Sequence, residues 1–254
     1  MRLEGRKTVV VGGAGGIGGA IASVFAREGA DVALVDARPA DEAAENVRAH
    51  GRQALPLIAD VTSRAEVSAA VAATLVQFRR IDVLVNAAGV VSFGSAAALD
   101  EAEWDRVLDI NLKGVMLACQ AVIPAMCEAR YGRIVNIGSL LGKNGGNARP
   151  WIDANEQTNS GNIAYGVSKA GVHALTLYLA RELAAHGVCV NAVAPGPIAS
   201  AMTKNFPERL KAAIPLGRMG TAQEVAETVL FLASDAASFI TGEIIDVNGG
   251  AWGD

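Results

Sequence analysis

Thr8-Val9-Val10-Val11-Gly12-Gly13-Ala14-Gly15-Gly16-Ile17-Gly18 runs from a short apolar, β-branched segment directly into a glycine-rich turn. From Ala20 to Phe25 the apolar residues return at helical spacing, so the order is strand, turn, helix. Glycines in such a turn let the backbone approach an anion seated at the helix N-terminus, where free N–H groups and the helix dipole favour negative charge. A tight strand-to-helix turn packed for its own sake has the same pattern, so the turn alone assigns no ligand.

Further along, short apolar strand candidates alternate with longer helical patterns. The candidates are Thr8 to Val11, Asp31 to Val35, Gln53 to Ala59, Ile81 to Val85, Gly132 to Ile137, Val188 to Val193 and Glu243 to Val247. This alternation predicts an α/β fold, a doubly wound parallel sheet with helices on both faces and ligands at the carboxyl ends of the strands. Residues 1–254 are long enough for one such domain, burying roughly 70 to 75% of the unfolded surface. There is no internal repeat and no linker. The stretch Gly142 to Asn162, rich in Asn and Gly, is expected to be a long loop.

Composition narrows the function classes. Net charge is −4 with both signs interspersed, so no basic stripe is available for nucleic acid and no polybasic segment for a membrane. No apolar signal segment precedes Lys7, and no stretch approaches the ~20 apolar residues of a membrane span, so a cytoplasmic protein is expected. Cys119, Cys127 and Cys189 lack metal-ligand spacing, as do the scattered His50, His173 and His186, so no metal site is expected and the thiols suit a reducing compartment.

Tyr165-Gly166-Val167-Ser168-Lys169 places a phenol and an ammonium one helical turn apart, on one face. A neighbouring cation favours a phenolate, and such a pair can exchange protons near neutral pH. The same spacing also arises on solvated helix surfaces.

Five motifs in order make the chain resemble the short-chain dehydrogenase/reductase family in its classical form, over essentially its whole length. The cofactor turn matches Gly12, Gly16 and Gly18, and the strand-end motif is Asn86-Ala87-Ala88-Gly89. The catalytic set corresponds to Asn111, Ser139, Tyr165 and Lys169. A later Pro195-Gly196-Pro197-Ile198 and a closing Val247-Asn248-Gly249-Gly250 complete it. The resemblance implies a Rossmann-type fold and a hydride transfer between a nicotinamide cofactor and a small-molecule alcohol or ketone. Tyr165 is then the general acid or base, Ser139 the donor to the substrate oxygen, Lys169 the partner of Tyr165 and of the nicotinamide ribose, and Asn111 the holder of a water leading from Lys169 to solvent. As plain structure, Asn111 would be a helix cap or kink and Ser139 a strand-end turn hydroxyl.

Cofactor contacts implied by the same resemblance are Gly12, Gly15, Gly16, Ile17, Gly18, Asp36, Asp60, Val61, Asn86, Ala87, Gly89, Tyr165, Lys169, Pro195, Gly196, Ile198 and Ser200. Asp36 closes the second strand 18 residues past Gly18, where a carboxylate accepts from ribose hydroxyls and repels a 2′-phosphate, so NAD is expected. Arg38 could pair with it, and Asp60 could instead cap a helix at Thr62 to Gln77. Four departures stand out, three of them single residues: Val11 and Ser200 where the family usually has threonine, and Ala87 where it has asparagine. The largest is that Ser139 and Tyr165 stand 26 positions apart, about twice the usual separation, which makes 142–162 an insertion beside the site.

The leading expectation is therefore NAD-linked interconversion of a secondary alcohol and a ketone. An NADPH-dependent ketoacyl-thioester reductase is the alternative, since Ile214-Pro215-Leu216-Gly217-Arg218 and the C-terminal third look like that branch. A non-catalytic dinucleotide sensor is a third. Ser92 to Ser95, the insertion and a flap at about 199–215 should bound the substrate. Within the insertion, Asn144, Asn147, Arg149, Asp153, Asn155 and Glu156 could furnish a polar lid with Trp151 as an apolar contact, or the segment could pack at a subunit interface. A homotetramer formed through helices at about Leu99 to Arg130 and Ile163 to His186 is implied by the family.

Overall fold

Val9 and Val11 of the first strand bury into one side of a sheet and Val10 into the other, as the two-residue period of a strand requires. The next strand repeats this with Ala33 and Val35 against Val32 and Leu34. Strands buried on both faces read as continuous apolar runs, which is why their sequences lack alternation. The computed structural model describes residues 1–146, 151, 153–156, 162–200, 203 and 206–253.

Seven parallel strands form one sheet in the order β3-β2-β1-β4-β5-β6-β7. They are β1 (Lys7–Val11), β2 (Asp31–Asp36), β3 (Ala54–Ile58), β4 (Val83–Asn86), β5 (Gly132–Ile137), β6 (Val188–Pro195) and β7 (Ile244–Val247). Every strand expected from the sequence is present. Pro56 is tolerated because β3 is an edge strand, paired only with β2. One core cluster lies under α1 (Gly16–Arg27), α2 (Asp41–Ala49) and α9 (Ala222–Ala233). The other lies under α3 (Arg64–Phe78), α5 (Gly114–Ala129) and α7 (Ile163–Leu183). Strand order reverses between β1 and β4, so the crevice above their carboxyl ends is where such a fold receives a ligand.

α4 (Glu101–Leu108), a π turn at Asp109–Lys113 and α5 make one continuous helix. Against the sequence expectation, Glu101–Ala129 does hold a window long and apolar enough to cross a membrane, with mean hydropathy 1.5. Its apolar side packs on α3, β4 and β5, so the window is that of a core helix. The start of the expected loop is also helical, as α6 (Leu141–Asn144). Asn147 and Arg149 lie outside the described residues.

Beneath the site a buried polar ladder crosses the sheet. Asn86 Nδ2 donates to Asn136 Oδ1 at 2.9 Å, and Asn136 Nδ2 donates to Thr176 Oγ1 at 2.9 Å. Asn86 and Asn136 are register partners, so the ladder ties β4 to β5 and β5 to α7. Asn136→Ala removes both bonds and leaves a cavity, and is expected to cost about 3 kcal/mol in urea unfolding. A loss below ~1 kcal/mol would show that the ladder contributes little.

Candidate active site

Gly12 leaves β1 at φ +82°, and a Cβ there would lie 2.4 Å from Ala88 N, so both its conformation and its contact demand glycine. A Cβ on Gly18 would lie 2.0 Å from the Gly12 carbonyl oxygen, which lets α1 pack onto the turn only without a side chain. Gly15 and Gly16 face open space, and no side chain caps α1. Its first N–H groups are thus available to an anion between them, which fits the diphosphate of a dinucleotide.

Around this cradle stand the other expected contacts. Asp36 ends β2 with Oδ2 accepting from Ala14 N at 3.0 Å and Oδ1 from Arg38 N at 3.1 Å. Arg38 Nε is 3.6 Å from the same carboxylate, so the pairing weighed from sequence forms. Asp60 Oδ1 accepts from the backbone and hydroxyl of Thr62, both at 2.8 Å. The cap of α3 is Ser63, with the helix starting at Arg64, so the alternative in which Asp60 caps a helix from Thr62 does not form. Competition decides this: Asp60 is spent on its own turn. Val61 packs on Gly114, and with Val11, Asn86, Ala88, Ile110 and Val115 lines a narrow crevice beside the cradle. Asn86 Oδ1 is buried without a partner there. Ala87 N donates to Val11 O at 2.8 Å, continuing the strand pairing past β4.

Ser139, Tyr165, Lys169 and Asn111 converge at the end of β5. Lys169 is buried and its Nζ donates to Ile137 O at 2.8 Å. Burial lowers its pKa from 10.5 to about 8. The ammonium lies 5.8 Å from the Tyr165 ring centre. The Ser139 side chain neighbours the Tyr165 phenol and acts to lower its pKa. Ser139 Oγ also accepts from Leu141 N at 3.1 Å, which leaves its own proton for donation. Here an expectation is corrected. Burial raises the phenol above its ordinary value, the Ser139 side chain opposes this, and Lys169 is not among the causes. Desolvation outweighs a cation whose own charge burial disfavours.

Asn111 sits in the π turn, fully buried. Its Oδ1 accepts from Val90 N at 2.8 Å, and its Nδ2 donates to Val90 O and Ser168 Oγ at 2.9 and 3.0 Å. A Cβ on Gly89 would touch both Asn111 Oδ1 and Lys169 Nζ at 3.3 and 3.4 Å, so glycine keeps that gap open. Gly196 closes onto Val247 and Asn248, with its N–H donating to Val247 O at 3.0 Å. Pro195 ends β6, Ile198 is buried, and Ser200 is exposed.

Two residues passed over in the sequence hold parts of the site. Thr203 Oγ1 donates to Ile198 O at 2.7 Å and accepts from Ser200 N at 2.9 Å, securing the turn after Ile198. His173, buried, accepts from Ser139 N through Nε2 at 3.3 Å. It lies one turn past Lys169 on the same helix face, which is the signal that could have found it. Cys119 is buried with its thiol pushed up to about 12 by desolvation, and no metal cluster occurs among the described residues.

A glycine cradle at the reversal point of a parallel sheet, opening toward a phenol paired with a serine, defines a dinucleotide-dependent oxidoreductase. Residues 12–251 match the family described as enoyl-(acyl carrier protein) reductase. The 3-oxoacyl-[acyl-carrier-protein] reductase of Thermotoga maritima is 39% identical over 256 residues, covering 98% of this chain and 99% of that protein. The (2S)-[(R)-hydroxy(phenyl)methyl]succinyl-CoA dehydrogenase subunit BbsD of Thauera aromatica is 38% identical over 256 residues, covering 98% of each chain. The structure of a short-chain type dehydrogenase/reductase from Mycobacterium ulcerans matches with a TM-score of 0.89 at 30% identity, covering 99% of this chain and 91% of that one. The chain belongs to the short-chain dehydrogenase/reductase family, in its ketoacyl reductase-like branch.

The fall of the Lys169 pKa from 10.5 to about 8 corresponds to about 3 kcal/mol. Because the folded-state value is the lower one, the unfolded chain binds more protons between these pH values, and this group makes stability rise with pH across that window. The stability of the wild type minus that of Lys169→Met is therefore expected to increase from pH 8 to pH 10.5, by up to about 3 kcal/mol in urea titrations. A difference that stays flat with pH would mean that folding does not lower the pKa of this amine.

Proposed function

We propose that the chain interconverts a secondary alcohol and a ketone with NAD(H), using Tyr165 as acid and base. The observation that carries this is the gathering of Ser139, Tyr165 and Lys169 at the end of β5, with the Lys169 amine bonded to Ile137 O and 5.8 Å from the Tyr165 ring centre. A substrate oxygen placed against both hydroxyls meets two donors where negative charge develops. In reduction, Tyr165 gives its proton to that oxygen, and burial, by keeping the phenol protonated, holds the form that starts this direction. In oxidation, Tyr165 takes the proton, and Lys169 stabilises the phenolate. When bound, the nicotinamide supplies or takes the hydride. The cradle from Gly12 to Gly18 with Asp36, Asp60, Val61, Asn86, Ala87, Gly89, Pro195, Gly196, Ile198 and Ser200 would hold the dinucleotide, together with Tyr165 and Lys169. Asn111, fixed beside Lys169, would keep the path from that amine to solvent open.

NAD is favoured over NADP because the Asp36 carboxylate still has lone pairs for ribose hydroxyls and repels a phosphate. A second reading has specific support: 3-oxoacyl-[acyl-carrier-protein] reductases are 39 to 41% identical to this chain. On that reading Arg38, exposed beside Asp36, takes the phosphate and the substrate is an oxoacyl thioester. The substrate mouth lies between Ser92 to Ser95, the insertion and the flap. An isolated bridge from Gly94 to Asn162 joins two of these segments. The homotetramer and the cytoplasmic location belong to the same proposal. Ile163, Val167, Leu177 and Tyr178 are exposed on α7, where a second copy would cover them, and light scattering measures the resulting mass.

With a panel of secondary alcohols, ketones and oxoacyl thioesters, NAD(H) should give kcat/KM on the order of a hundredfold above NADP(H), and Asp36→Ala should narrow that gap. A wild-type preference for NADPH with oxoacyl thioesters selects the second reading.

Tyr165→Phe should abolish nearly all turnover while calorimetric NAD affinity changes little, because the phenol moves a proton and contributes little to holding the dinucleotide. Substantial activity in that variant would remove Tyr165 from the acid/base role.

A further inference from the structure

Ser139 hangs from a backbone that the sheet does not hold on both sides. Gly138 N and Leu140 N donate to Val193 O and Pro195 O of β6 at 2.8 and 2.9 Å, so the N–H of Ser139 between them turns away from β6. On that other side, pairing with β4 has already ended at Asn86 and Asn136. A buried backbone donor needs a partner, and His173 Nε2 is the one it meets, at 3.3 Å.

The fit of the imidazole is specific. A Cβ on Gly138 would lie 2.1 Å from His173 Nε2, and a Cβ on Gly142 would lie 2.9 Å from His173 Cε1. Neither glycine has a positive φ, so space rather than backbone conformation explains both: Gly138 makes room for the ring, and Gly142 for the α7 backbone at Lys169 and Ala170, 2.8 Å from its Cβ position, as well as for the ring. Accepting from an N–H requires a lone pair on Nε2, hence a neutral imidazole with its proton on Nδ1.

We propose that His173 is a positioning residue for Ser139. Its neutral imidazole fixes the Ser139 backbone and thereby the direction in which the hydroxyl is presented to Tyr165 and to the substrate oxygen. This rests on the reading of Ser139 and Tyr165 given above.

The test compares His173→Leu, which keeps bulk without an acceptor, with His173→Gln, whose amide oxygen reaches about as far as Nε2. His173→Leu should lower kcat about tenfold, the worth of one hydrogen bond of ~1.4 kcal/mol, with NAD affinity unchanged. His173→Gln should recover most of that loss. Wild-type kcat in His173→Leu, or equal losses in both variants, overturns the proposal. Nitrogen-resolved NMR of the folded wild type is an independent arm that needs no variant to fold: an unprotonated Nε2 with a protonated Nδ1 supports the proposal, and a protonated Nε2 overturns it. Tyr165→Phe is run alongside. If it stays active, the acid/base reading has failed; if it is dead while His173→Leu is not impaired, only the role of His173 has.

Discussion

The docking of α7 on the end of β5 is the constraint from which the site follows. Three side chains on one face of that helix, Lys169, His173 and Thr176, each bond to a residue between Asn136 and Ser139. Their spacing of four and three residues is that of a single helical stripe. Each contact pairs a buried polar group whose loss would leave a donor or acceptor unsatisfied, so a slip of the helix along the strand costs all three together. Tyr165 lies one turn before Lys169 on this stripe, so the helix itself carries it to the Ser139 end of β5 without needing help from the loop between them.

That independence explains how the chain accommodates 26 positions between Ser139 and Tyr165. Lengthening a loop whose ends are already fixed costs only ~0.6 kcal/mol per doubling. The described parts of the segment are also tied outward. Lys143 Nζ pairs with Asp246 at 2.9 Å, Asn162 bridges to Gly94, and Glu156 pairs with Arg209 of α8 (Glu208–Ala212) in the flap. These ties reach β7, the loop after β4 and the flap, all at the carboxyl end of the sheet. The described parts of the segment are therefore held at the carboxyl end of the sheet, and none of these ties involves Lys169, His173 or Thr176.

Much of this was legible in the sequence because the signals were local or periodic. Apolar runs of four to eight residues marked all seven strands, and the spacing of Gly12, Gly16 and Gly18 marked the turn they form. What stayed hidden depends on three-dimensional competition. The π turn around Asn111 has ordinary helical residues and is set by the bonds of its side chain to Val90 and Ser168. Ser63 caps α3 because Asp60 is already bonded to Thr62, a choice between two adjacent candidates that spacing does not rank. In sequence His173 is one of three scattered histidines, and only packing sets it apart, with Gly138 clearing room for its ring.

The electrostatics of the site follow from the same burial. An ammonium taken out of water and given one carbonyl has lost more solvation than it regains, and its lowered pKa records this. The phenol beside it is pushed the other way by the same cause. Desolvation thus brings two groups that differ little in ordinary water, 10.0 and 10.5, into opposite order, with the amine the easier of the two to deprotonate. With a pKa of about 8 the amine still carries its proton at neutral pH, and a negatively charged group entering near it would hold that proton more firmly. Burial therefore acts on the two neighbours in opposite directions, holding the phenol's proton more tightly and the amine's more loosely than water would.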